Sequence, residues 1–134
     1  YRGDIVITRS GTIGRVAYIT KRLNGAIVSD DLIRVRIPDE GIRNYALQFL
    51  QSDMALNQML KNEYGAVQQH LEPNHVSDIL IPIPANWADA DKLIENVRNQ
   101  LLLKEALEDA TSTLDKDVCV LINSLIEKAK QKNA

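Results

Sequence analysis

Arg9-Ser10-Gly11-Thr12-Ile13-Gly14-Arg15 concentrates two guanidinium groups, two hydroxyls and two glycines three apart in seven residues. Glycines at that spacing let the backbone take positive φ and turn tightly, so the segment predicts a loop that displays its polar side chains. Arg9 and Arg15 can neutralise phosphates, and an arginine can also fork onto a guanine edge; Ser10 and Thr12 can pair with base edges. Lys21 and Arg22 stand beside a second turn, Asn24-Gly25, and supply further phosphate anchors. Gln68, Gln69 and His70 form a third polar group in which the glutamine amides match adenine. Ordinary solvated loops have the same make-up, and composition alone favours that plainer interpretation.

Other chemistries fit poorly. Gly11-Thr12-Ile13-Gly14 lacks the GK[ST] ending that places a lysine on nucleotide phosphates, and it joins two strands instead of opening a helix as a dinucleotide fingerprint does. Pro38-Asp39 is not followed by the acid-x-Lys of a nuclease metal site, and no Pro-Pro-aromatic motif is present. His70, Glu72, His75 and Asp78 have no known zinc spacing, so a solvated loop is expected there. Asp30-Asp31 reads as a turn or cap, and Cys119, without a histidine or basic neighbour, as a core residue. No catalytic residue, cofactor or metal is expected.

Three short segments rich in β-branched residues predict strands: Asp4–Thr8, Arg15–Ile19 and Leu32–Ile37. In the last, Ile33, Val35 and Ile37 alternate with Arg34 and Arg36, a half-buried strand with arginines on its wet face. After Pro38 the period becomes helical: Ile42, Tyr45, Ala46, Phe49 and Leu50 form one stripe, and Met54, Met59 and Leu60 continue it behind a cap at Ser52 or Asp53. Gly65 closes that pattern. The run Ile79-Leu80-Ile81-Pro82-Ile83-Pro84 has two prolines and is confined to an edge strand or an extended exit.

From Asp89 to Lys132 there is neither Gly nor Pro. Alternating steps of four and three from Leu93 reach Val97, Gln100, Lys104, Leu107, Thr111, Leu114, Val118, Leu121, Leu125 and Lys128. This mostly apolar heptad stripe with a polar centre predicts a long helix that wants a partner helix. One rod of ~60 Å is one form; a hairpin broken at Thr111-Ser112-Thr113 is the other. The expected class is α+β: a small mixed sheet-and-helix unit over residues 1–84, then a long helical segment over 85–134.

The 134 residues are 45% hydrophobic and 25% charged, an ordinary globular composition that excludes disordered and collagenous chains. The lone cysteine excludes an internal disulfide and suits a reducing cytoplasm, and no stretch is long and apolar enough to span a bilayer. The net charge of −2 hides an uneven distribution: residues 1–38 carry seven Lys/Arg against three acids. That is a modest footprint for a polyanion.

The ordered blocks resemble the specificity subunits of type I restriction–modification enzymes. Gly3-Asp4-Ile5 through Gly14-Arg15-Val16 resembles the family's "GDI…t.sG.iG.v" strand–loop–strand. Tyr45–Ser52 resembles its "yl…l.S" helix, and Gly65–Leu71 with Val76 and Ile79–Pro84 its "G…hL…ipiP" closing segment. The resemblance covers residues 3–84 and implies the C-terminal part of a mixed α/β target recognition domain that reads one half of a two-part site in double-stranded DNA. It further implies a non-catalytic, cytoplasmic role that directs methyltransferase (modification) and restriction subunits to the site. Long helices in the family join recognition domains by a coiled coil, which fits the Leu93–Leu125 stripe and self-association through it. Ala85-Asn86-Trp87-Ala88-Asp89 departs from the Glu-Gln pair that usually opens this helix, leaving its partner open and admitting a fusion of methyltransferase and recognition domain. The alternative expectation is a helix-mediated interaction module, or a specificity-subunit fragment, that does not bind DNA itself.

Overall fold

The structure, a computed structural model, describes residues 1–61 and 70–132, with side chains through residue 126. Three strands, β1 (Ile5–Thr8), β2 (Val16–Tyr18) and β3 (Leu32–Val35), form an antiparallel sheet in the order β2-β1-β3. Among the described residues four α-helices follow: α1 (Glu40–Leu50), α2 (Asp53–Lys61), the single turn α3 (Pro73–Ser77) and α4 (Trp87–Lys132). The class is α+β with a long terminal helix.

Register explains which side of the sheet is dry. Ile5 lies opposite Tyr18 and Val35, and Ile7 opposite Val16 and Ile33, so these side chains share one face. On it Ile5, Ile7, Tyr18 and Ile33 join Leu47 and Leu50 of α1, Ala55 and Met59 of α2, Leu71 and Val97 in one buried core. The other face carries Val6, Ala17 and Arg34 in register, and Arg34 and Arg36 are exposed there, as the alternation in the sequence requires.

Local chemistry sets the helix ends. Asp39 caps α1 by accepting from the Ile42 N–H at 2.8 Å. At α3, Glu72 and His75 form a reciprocal capping box. Thus two members of the polar group His70, Glu72, His75 and Asp78 hold a helix end. The run Ile79–Pro84 is the extended exit: the Gln58 amide accepts from the Leu80 N–H (2.8 Å) and donates to its carbonyl (3.1 Å), and the Tyr45 hydroxyl donates to the Pro82 carbonyl at 2.8 Å.

α4 is one continuous helix of 46 residues. No break occurs at Thr111–Thr113; the Thr111 and Thr113 hydroxyls donate to the carbonyls of Leu107 (2.9 Å) and Asp109 (3.1 Å), four residues back, and so do not compete for the backbone N–H groups of the helix. The face that packs is not the heptad stripe. Ala90 and Val97 are buried, Ile94 and Leu101 half-buried, and Glu105 and Glu108 follow on the same side against α1 and the 3-10 turn Lys21–Leu23. Of the stripe named from the sequence only Val97 is buried among the described side chains; Leu107, Leu114, Val118, Leu121 and Leu125 are all exposed. Ile94, Leu101 and Glu108 on the packing face each lie one residue, or about 100° around the helix, from Leu93, Gln100 and Leu107 of the stripe, so the two faces are offset from the first turn. Cys119, expected in the core, is exposed on the distal part of this helix.

Charged groups clamp α4 to the sheet. Glu105, only 6% exposed, accepts from Arg2 Nε (2.9 Å) and Nη2 (2.8 Å) and from the Lys21 backbone N–H (2.9 Å). The Arg2 guanidinium holds the Glu105 carboxyl below its ordinary range. Thr20 donates to Glu108 at 2.6 Å, and Lys21 pairs with Asp109. Glu105→Ala removes a buried, three-bonded carboxylate and should lower unfolding stability by about 2 kcal/mol. Glu95→Ala, which loses one exposed pair with Arg98, should stay within about 0.5 kcal/mol in the same urea titration.

Candidate nucleic-acid interface

Three connections meet at one end of the sheet, where β1 ends and β2 and β3 begin. Loop 9–15 joins β1 to β2; the turn at residues 29–31 leads into β3; residues 70–72 arrive from the helical side. Backbone bonds join them: the Arg9 N–H donates to the Asp31 carbonyl (2.8 Å), and the Leu71 N–H to the Arg9 carbonyl (2.9 Å). Leu71 is fully buried, so its side chain anchors the third segment in the core beneath the loop.

Within this end the Arg9 guanidinium is a brace. It donates to Glu72 Oε1 at 2.7 Å and reaches the Asp30 carbonyl at 3.5 Å, linking the other two segments. The Ser10 hydroxyl donates to Asp31. Thr12 and Arg15 are exposed, and Arg15 makes no ion pair among the described residues. His70 is exposed beside them. Gln68 and Gln69 lie outside the described residues. Asp30 and Asp31 sit in a turn, in keeping with the sequence.

Gly14 makes the loop's close approach possible. Its φ is +78°, and a Cβ there would lie 2.6 Å from Leu56 Cδ1 and 3.3 Å from Met59 Sδ. The loop is therefore seated directly on α2, while Gly11, at φ +68°, has open space around it.

Lys21 and Arg22 belong elsewhere. They lie past the opposite end of β2, in the 3-10 turn against α4, where Lys21 is engaged by Asp109 and Arg22 is exposed over a surface groove shared with Leu103 and Leu107. At this same end Asp4, 3% exposed, accepts from Arg36 Nε (2.8 Å) and Nη2 (2.9 Å), and this guanidinium holds its carboxyl far below the usual carboxylate range. The candidate residues thus divide: Arg9, Ser10, Thr12, Arg15 and His70 share one end, Lys21 and Arg22 the other. Arg34, set aside in the sequence as a wet-face residue, is a further exposed cation on the open face of β3; its alternation with Ile33 and Val35 was the available signal.

An α+β unit that gathers short polar loops and a cation at one sheet end, and projects a long helix from the other, belongs to the class of macromolecular recognition modules. The family model for the type I restriction modification DNA specificity domain matches residues 2–108, and the chain belongs to that family. It is a DNA target-recognition module of a type I restriction–modification specificity subunit. No curated protein and no solved structure matches the chain. Among the described residues no helix is long and apolar enough to cross a membrane.

Proposed function

We propose that residues 1–84 read one half of a two-part DNA site without catalysing any reaction, and that residues 85–134 form the helical scaffold. The observation that carries this is the convergence of loop 9–15, the 29–31 turn and residues 70–72 at one end of the sheet. Arg15 anchors a phosphate there, while Arg9 both contributes charge and holds the loops together. Ser10, Thr12 and His70 contact base edges, together with Gln68 and Gln69. Lys21 and Arg22, at the far end, meet phosphates only where the duplex runs along the sheet. The exposed apolar side chains of α4 from Leu107 to Leu125 form a coiled-coil seam for self-association or for a methyltransferase or restriction subunit, in the cytoplasm.

Fluorescence anisotropy against a randomised duplex pool, with sequencing of the bound fraction, tests this proposal. Salt-sensitive binding with an enriched short motif is the expected result; no binding even at low salt would overturn it. Arg15→Ala should weaken all duplexes alike and reduce the slope of log K against log salt by about one. A change of preferred sequence in that variant would mean that Arg15 reads a base instead.

A further inference from the structure

Ile27 is 98% exposed, more than any other large apolar side chain among the described residues. Singly exposed apolar side chains are common on protein surfaces, so what matters at Ile27 is where its loop places it. Its loop holds it there. Gly25 takes φ +83° at the end of the 3-10 turn, the Ala26 N–H donates to the Leu23 carbonyl (3.1 Å), and the Leu32 N–H to the Ser29 carbonyl (3.1 Å). Residues 26–28, which belong to no helix or strand, are therefore an arch tied at both ends.

The arch forms one wall of a groove of about 590 Å³; the edge of β3, with Arg34, forms the other, and Arg9 and Pro73 line the same groove. Arg9 braces the three converging loops, so Ile27 shares this groove with a residue of the proposed reading end. The charge in this groove is mixed: Arg9 is paired with Glu72, and Asp30 lies on the groove beside Ile27. Such a lining suits the alternating donors, acceptors and methyl groups of base edges better than it suits a phosphate.

We infer that Ile27 is a specificity-determining residue that packs on the C5 methyl group of a thymine in the major groove, an inference that rests on the DNA-reading proposal above. The thymine methyl is the apolar feature of the major-groove code, and it requires an apolar side chain presented among polar ones. A wedge between base pairs is the other use of an exposed isoleucine, but unstacking is offset by wrapping bent DNA around a broad protein surface. This groove is bounded by two short segments.

The test begins with the motif that the wild-type chain enriches from the randomised pool. Each thymine in it is replaced singly by deoxyuridine, which removes only the methyl group, and affinities are measured for the wild-type chain and for Ile27→Ala. One position should be sensitive, with uracil weakening wild-type binding about fourfold. Ile27→Ala should weaken the thymine duplex about tenfold and bind the thymine and uracil duplexes equally. Its urea midpoint and salt slope should match wild type, since Ile27 is out in solvent and carries no charge. Uracil sensitivity that persists in Ile27→Ala overturns the inference, as does a motif without a uracil-sensitive thymine, or binding with no enriched motif. An affinity loss in Ile27→Ala without any uracil effect would assign the wedge instead. Where a motif is enriched but these Ile27 results fail, the chain still reads DNA and the wider proposal stands; binding without an enriched motif, or no binding to any duplex, overturns both.

Discussion

Gly14→Ala should lower unfolding stability by about 3 kcal/mol, while Gly11→Ala, three residues away in the same loop, should cost about 1 kcal/mol. Both positions have positive φ, which costs an L-residue about 1–2 kcal/mol. They differ in what the added methyl meets. At Gly11 it meets nothing within 4 Å; at Gly14 it collides with Leu56 Cδ1 and crowds Met59 Sδ, and Met59 is fully buried. Overpacking of this kind adds about 1–3 kcal/mol. Urea denaturation of the two variants separates the contributions: equal losses would show that backbone conformation alone matters and that the loop is not seated on α2. Because the displaced loop carries Ser10, Thr12 and Arg15, Gly14→Ala should also weaken DNA binding under conditions where it remains folded.

Asp4→Asn should cost about 2 kcal/mol at pH 7, and the cost should vanish in acid. The substitution preserves shape but replaces the acceptor of two charge-assisted bonds from Arg36, and such bonds contribute about 1.5–3 kcal/mol. In the unfolded chain the carboxyl titrates at about 3.9. In the folded chain the Arg36 guanidinium holds it far lower, so between these values the unfolded state binds the proton more readily. The stabilisation is therefore fully present above about pH 5 and is lost as the pH falls toward the folded-state value. Glu105, lowered by Arg2, acts in the same direction. Urea titrations of wild type and Asp4→Asn at pH 7, 4 and 2.5 should show the difference shrinking steadily. A difference independent of pH would mean that Asp4 acts through packing and not through its charge.

What the sequence makes legible here follows from periodicity. The strands are short, but Ile5, Ile7 and Ile33 alternate with outward neighbours, and a period of two carries over directly into a sheet face. Loop 9–15 is equally plain, because Gly11 and Gly14 free the backbone to take the positive φ that a tight turn needs. The convergence of the loops is not legible. Arg9 and Glu72 are 63 residues apart, and their contact depends on Leu71 docking into a core that no local pattern specifies. The packing face of α4 is concealed for a related reason: its strongest anchor, Glu105, is a charged residue that an apolar stripe passes by. Lys21 and Arg22 look like loop cations in the sequence, and only the third dimension sets Asp109 against Lys21. Ile27 sits in Ala26-Ile27-Val28, a run that resembles the start of a buried strand, and nothing local distinguishes it from one.

The clamp at Glu105, Glu108 and Asp109 is also a fulcrum. Beyond it the 23 residues from Ala110 to Lys132 continue as helix, an arm of about 35 Å at 1.5 Å per residue. A tilt of about 10° at the clamp swings the tip of such an arm by about 6 Å, more than one helical turn. The short, charged bonds around Glu105 therefore set the angular tolerance with which anything gripping the tip is aimed at the proposed DNA-reading end. Loosening that joint would blur where a docked subunit points, even with every loop residue intact.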